Sequence, residues 1–150
     1  MALNFKITKS GGAANHQGGG AVRTLLLVDD DQTLLLMLRM FFQKNGWHLL
    51  EADTVEEAIK LWDANQKHID AVVTDYSFAG TATGLDLVTY IQARRRGFPC
   101  VVISGHWLAD KRPRDEPQMN LYYRIKPFDP RELLATVVKA IESAAPKKAA

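Results

Sequence analysis

The stretch Thr24-Leu25-Leu26-Leu27-Val28, followed at once by Asp29-Asp30-Asp31, decides how this chain is read. A run this short and this continuously apolar is a strand buried on both faces, the habit of parallel sheets. Two further runs end on polar tips in the same manner. Ala71-Val72-Val73-Thr74 closes on Asp75, and Leu121-Tyr122-Tyr123-Arg124-Ile125 runs into Lys126-Pro127-Phe128. Ligands of open α/β sheets gather at the carboxyl ends of the strands. Acids from two strands and a lysine from a third are therefore expected to converge on one point.

Outward from these runs the pattern alternates strand and helix. After the first strand, a helix is expected from about Gln32 to Lys44, stopping at Asn45-Gly46. Trp47 to Ala52 reads as the second strand. Thr54-Val55-Glu56-Glu57 is a capping-box pattern opening a helix with Ala58, Ile59, Leu61 and Trp62 on its apolar side. After the third strand, Ala71 to Asp75, a glycine-containing loop leads into a helix from Leu85 to about Arg96. Pro99 to Ser104 is the fourth strand and Leu121 to Ile125 the fifth. The last helix starts at Pro130 with Asp129 as its cap, and Leu133, Leu134, Val137, Val138 and Ile141 share one face. Five strands, each followed by a helix-sized segment, imply a doubly wound parallel sheet. Residues Trp107 to Asn120 break the rhythm, with Pro113, Pro117, six charged residues and no apolar stripe, so a short or irregular helix is expected there.

The boundaries that follow are a flexible tail over 1–22, one domain over 23–143 and a second tail over 144–150. Half of the ten glycines fall between Gly11 and Gly20, where no apolar period develops. At 150 residues, 47% apolar and 24% charged, the chain has the size and composition of one globular domain. A formal charge of +2 is too small to imply a nucleic-acid partner. The basic clusters are local, and Arg94-Arg95-Arg96 is expected in the last turn of a helix before Gly97, where cations suit the dipole. The single cysteine, Cys100, forms no internal disulfide and reads as a core residue of a reducing compartment. No apolar stretch is long enough to span a bilayer, so a cytoplasmic protein without a membrane partner is expected.

Carboxylates gathered at strand ends repel one another and call for a cation. Asp29, Asp30 and Asp75 suit a hard ion with oxygen ligands, Mg²⁺, better than zinc, since no Cys/His set accompanies them. Lys126 offers a point charge to a phosphate oxygen and Ser104 a hydroxyl. The set is suited to phosphoryl transfer onto a carboxylate.

With these residues in place, the chain resembles a response regulator receiver domain of two-component signalling. That family carries an acid pair after the first strand, an acceptor Asp after the third, Ser or Thr after the fourth and Lys-Pro after the fifth. Here these are Asp29-Asp30, Asp75, Ser104 and Lys126-Pro127. The resemblance implies the flavodoxin-like strand order 2-1-3-4-5 with helices on both faces. It implies Asp75 as phosphoacceptor and Mg²⁺ held by Asp30, Asp75 and the Ser77 carbonyl, with Asp29 acting through water. Lys126, before a proline whose family counterpart is cis, would bind a phosphoryl oxygen. Ser104 and Tyr123 would act as switch residues. The implied partners are a sensor histidine kinase or a histidine phosphotransfer protein, with output through protein contacts. The protein would be a phosphoacceptor rather than a turnover enzyme, and no output domain is expected after Ile141. Departures from the family are Phe78-Ala79 after the acceptor, an acceptor loop about one residue longer than usual, and Gly105 after Ser104.

Several residues have alternative readings. Asp31 is expected to cap the first helix rather than to bind metal. His106 reads as a loop histidine. On the first helix, Leu34, Leu38, Phe41 and Phe42 face the sheet, leaving Leu35, Leu36 and Met40 as an exposed docking patch for the histidine-bearing partner. Burial of that patch in a homodimer or by the N-terminal tail is the competing reading. Two other functions compete: a phosphorylation-independent interaction module, and a haloacid-dehalogenase-like phosphatase using Asp29-x-Asp31-x-Thr33. The phosphatase needs a further acidic pair after Lys126 and leaves Asp75 without a role.

Overall fold

Through the middle of each strand, consecutive side chains are buried on opposite faces of the sheet, which is why the runs read as nearly unbroken apolar sequence. The computed structural model describes residues 22–105 and 113–144. Of the expected tails, 1–22 and 144–150, residues 1–21 and 145–150 lie outside the described residues, as do His106 and the segment 107–112, while Ala144 is the last residue of the final helix. The elements are β1 (Thr24–Val28), α1 (Gln32–Lys44), β2 (His48–Ala52), α2 (Val55–Asn65), β3 (Ala71–Asp75), α3 (Gly84–Arg94), β4 (Cys100–Ser104), β5 (Leu121–Ile125) and α4 (Pro130–Ala144). All strand pairs are parallel and the order is β2-β1-β3-β4-β5. One core lies under α2 and α3, centred on Leu26, Val72, Val102, Trp62 and Ile91. The other lies under α1 and α4, centred on Leu27, Val73, Ile103, Phe42 and Val137. Cys100 sits fully buried in the first, and burial pushes its thiol pKa up.

Caps set the helix starts. Asp31 Oδ1 accepts from the Thr33 and Leu34 N–H groups at 3.0 and 3.2 Å, the capping role expected of it. The Thr54 hydroxyl accepts from Glu57 N–H at 3.1 Å. Thr83 and Asp86 form a full capping box on α3, so Gly84 is helical rather than the end of a loop. The other end of α3 also differs from the expectation. It stops at Arg94, because Arg95 is extended (φ −135°) and Gly97 takes a left-handed turn (φ 74°). Only Arg94 of the three arginines occupies the last turn.

The exposed patch expected on α1 is corrected at Leu35. That residue is 3% exposed and, with Leu38 and Phe42, forms the centre of the buried stripe at i, i+3 and i+7 spacing, flanked by Leu34 and Phe41. Leu36, Met37 and Met40 form the exposed apolar side.

Between β4 and β5 the described residues hold no α-helix, only a 3₁₀ turn at Pro117–Met119. Prolines and charges without a 3.6-residue period account for this. The segment folds back on β5 instead, in an antiparallel bridge between Glu116 and Leu121. The Asp115 carboxylate accepts the Tyr123 N–H at 2.8 Å and pairs with Arg124 at 3.2 Å. This clasp covers the first part of the β5 edge.

Candidate functional site at the carboxyl ends of the strands

Three strand ends and the loops leaving them build the site. β1 ends in Asp29, which is wholly buried, and Asp30, which is exposed; β3 ends in Asp75, 8% exposed. Parallel register carries them to one level, since Val28 pairs with Thr74. One carboxylate oxygen from each acid lies within 4.8 Å of those of the other two. The three are close enough to gather round one magnesium ion, directly or through its bound waters. All three are oxygen donors, as a hard cation requires.

Hydrogen bonds fix the acids singly. Asp29 Oδ1 accepts the Asp31 N–H at 2.8 Å, while its own N–H donates to the Ala52 carbonyl at 3.1 Å. Asp75 Oδ1 accepts the Tyr76 N–H at 3.0 Å. Lys126 reaches over from the end of β5, placing Nζ 3.2 Å from Asp29 Oδ2 and 3.4 Å from Asp75 Oδ1. Its peptide bond to Pro127 is cis, and its N–H donates to the Ser104 carbonyl at 2.9 Å, which ties the lysine to the end of β4. Ser104 itself is 1% exposed.

One ammonium does not balance this group. Burial raises the Asp29 pKa in spite of Lys126. Asp75 is pushed up to about 6, chiefly by burial and next by the charge of Asp29. For Lys126, burial acts downward, but the charges of Asp29 and Asp75 together outweigh it and the pKa rises. The site therefore has a surplus of negative charge that a bound cation would relieve. Beside it, a cleft of about 340 Å³ lined by Asp30, Thr54, Phe78 and Ala82 gives access from solvent.

The structure thus brings Asp29, Asp30, Asp75 and Lys126 together, with Ser104 at the adjoining strand end. Ser77 is exposed in the loop just past Asp75. Tyr123 is buried in the core on the α3 side of the sheet, and its own N–H is held by the clasp. Asp31 stays at its cap, and Asp129 pairs with Arg131 at 2.8 Å at the start of α4. Of the acids a dehalogenase-like phosphatase would call on, Asp31 is thus engaged as a helix cap and Asp129, beyond Lys126, in an ion pair. Sequence reading missed Gly84, which packs against the main chain of Asp75. Its one sequence signal was a glycine directly before an apolar helical run.

Comparison with known proteins supplies the family. The sequence profile of the response regulator receiver domain matches residues 25–138. A receiver domain protein from Clostridium thermocellum is similar in structure, with TM-score 0.73, 22% identity, and coverage of 81% of this chain and 95% of that one. A response regulator receiver protein from Sinorhizobium medicae has TM-score 0.70 at 25% identity, over 82% and 97% of the two chains. The chemotaxis protein CheY4 of Vibrio cholerae has TM-score 0.67 at 20% identity, over 80% and 99%. Among curated proteins no sequence matches. With the strand order, the acid cluster and the profile match in agreement, the chain belongs to the response regulator receiver domain family.

Proposed function

We propose that this protein accepts a phosphoryl group on Asp75 from the phosphohistidine of a sensor histidine kinase or a histidine phosphotransfer protein, and signals through protein contacts. The observation that carries the reading is the meeting of three carboxylates with one lysine at three strand ends. In the transfer an Asp75 carboxylate oxygen bonds to phosphorus as the phosphorus–nitrogen bond breaks and the imidazole leaves. The resident ion would be Mg²⁺, held by Asp30, Asp75 and the Ser77 carbonyl, with Asp29 acting through a water. When bound, it offsets carboxylate repulsion and charge on the phosphoryl oxygens. Lys126, already within reach of Asp75, is placed to hold one phosphoryl oxygen, and the Ser104 hydroxyl to donate to another. Tyr123 would convey the change to the α3–β5 face, where a cleft of about 690 Å³ opens among the described residues. No described helix is long and apolar enough to cross a membrane. We take the working unit to be residues 23–143, acting in the cytoplasm.

The test is intact mass after incubation with acetyl phosphate and Mg²⁺. One phosphoryl adduct, labile to hydroxylamine, absent without Mg²⁺ and absent in Asp75→Asn, is the expected result. No adduct on the wild type would favour the phosphorylation-independent module. For docking, the exposed side of α1 at Leu36 and Met40, extended by Met37, is the surface we assign to the histidine-bearing partner. Alanine at Leu36 and Met40 should slow phosphotransfer from a cognate partner at least tenfold and leave uptake from acetyl phosphate unchanged. Equal rates from the partner would remove this surface from the account.

A further inference from the structure

We infer that Gly84 is a positioning residue for the acceptor: by lacking a side chain it lets the first turn of α3 lie against the main chain of Asp75, and so sets where the Asp75 carboxylate stands. The functional meaning rests on the receiver reading above; the geometry does not. A Cβ on Gly84 would stand 2.1 Å from the Asp75 carbonyl oxygen, 3.0 Å from its carbonyl carbon and 3.1 Å from Thr74 Cγ2. The two closest atoms are main chain and cannot swing aside as the tip of a side chain can. The contrast within the chain is sharp. A Cβ on Gly105 would meet only Lys126 Cβ at 3.7 Å, and one on Gly80 would meet nothing within 4 Å.

The close approach is fastened from several directions. Gly84 N–H donates to the Tyr76 carbonyl at 2.8 Å, and Tyr76 N–H donates to the Ile103 carbonyl of β4 at 2.8 Å. The Thr83–Asp86 capping box holds the same turn of α3, so the helix cannot slide back without loss of these bonds. The Thr74 hydroxyl donates to the same Asp75 carbonyl oxygen at 2.9 Å. The acceptor's main chain is therefore gripped by Thr74 and backed by Gly84, with its carboxylate tied to Tyr76 N–H on the next residue. Admitting a methyl at position 84 requires the 2.1 Å separation to open to at least 3.0 Å. A reacting group misplaced by about 1 Å loses on the order of 100-fold in rate.

The test compares Gly84→Ala and Thr74→Val with Val88→Ala, a buried position one turn further along the same helix. Each variant is measured below its own melting temperature, for phosphoryl uptake from acetyl phosphate with Mg²⁺ and for the amide signals of Asp75 and Tyr76. Gly84→Ala is expected to slow uptake about 10- to 100-fold and to shift both signals. Thr74→Val should shift the same signals with a smaller slowing, about threefold. Val88→Ala should lower the melting temperature yet keep the rate within about twofold, which separates positioning from mere stability. If Gly84→Ala does not fold, Thr74→Val decides: unchanged signals and rate overturn the inference. A folded Gly84→Ala at the wild-type rate, or Val88→Ala slowed as much as Gly84→Ala, overturns it too. A wild type that takes up no phosphoryl group defeats the receiver reading instead, and the amide signals then decide the positioning claim alone.

Discussion

Two carboxylate–cation groups in this molecule are built to opposite specifications. On the α1–β2 side, Arg39 meets Glu51 through two bonds, Nε to Oε2 at 2.6 Å and Nη2 to Oε1 at 2.8 Å. One acid meets one base, the Glu51 side chain is 4% exposed, and its bonds raise the Arg39 pKa. At the strand ends a cluster of three acids has one lysine, which meets two of them, Asp29 and Asp75, through longer contacts of 3.2 and 3.4 Å, and burial raises the pKa of both. Burial is similar in the two places; the charge balance differs. A group that is neutral as a whole and bidentate needs nothing further and ties a helix to an edge strand. A group left with surplus negative charge favours a cation, the place the proposed function gives to Mg²⁺.

The contrast can be broken from the structural side first. Arg39→Ala strands Glu51 in a buried position, and loss of one partner from such a pair costs about 3 kcal/mol or more. Urea unfolding should show that loss, while phosphoryl uptake per folded molecule stays at the wild-type rate. A stability change below about 1 kcal/mol would mean that water rescues Glu51 and that the pair is no anchor.

The next test acts on the site, and its sign is opposite. Asp75 holds its proton more tightly folded, at about 6, than at the ordinary 3.8, so between those values the folded state binds more protons than the unfolded one. Stability without metal therefore falls as pH rises from about 4 to about 6, by about 2–3 kcal/mol, and stays lost above that window. Asp75→Asn removes the Asp75 part of this dependence and leaves the part from Asp29, whose pKa burial also raises. In metal-free buffer it should be more stable than the wild type at pH 7 and nearly equal to it at pH 4. Denaturant melts across pH check this, and a mutant less stable than wild type at pH 7 would show the carboxylate to be structural.

Much of this arrangement was legible in the sequence because a few local rules agreed. Strands buried on both faces leave short unbroken apolar runs, and the acids of the site stand where those runs stop. Asp31 and Thr54 announce their helices by the spacing of cap and first turn. What was not legible depended on tertiary approach. Leu35 looked peripheral because Leu34, Leu38, Phe41 and Phe42 also define an apolar arc, and only the angle at which α1 lies on the sheet puts Leu35 at its centre. Gly84 looked like loop because its meaning lies in a carbonyl nine residues earlier in the chain. The Asp115 clasp on β5 joins a side chain to a main-chain N–H across a proline-rich turn, for which no periodicity gives a sign.

The most direct test of the central claim is calorimetric titration of Mg²⁺ into the wild type, Arg39→Ala, Asp30→Asn and Asp75→Asn at pH 7.5. The account predicts one binding site in the wild type and Arg39→Ala, weakened at least tenfold in both aspartate variants. Binding that is equal in all four proteins, or absent from the wild type, would contradict the claim that the surplus carboxylates are a metal and phosphoryl site.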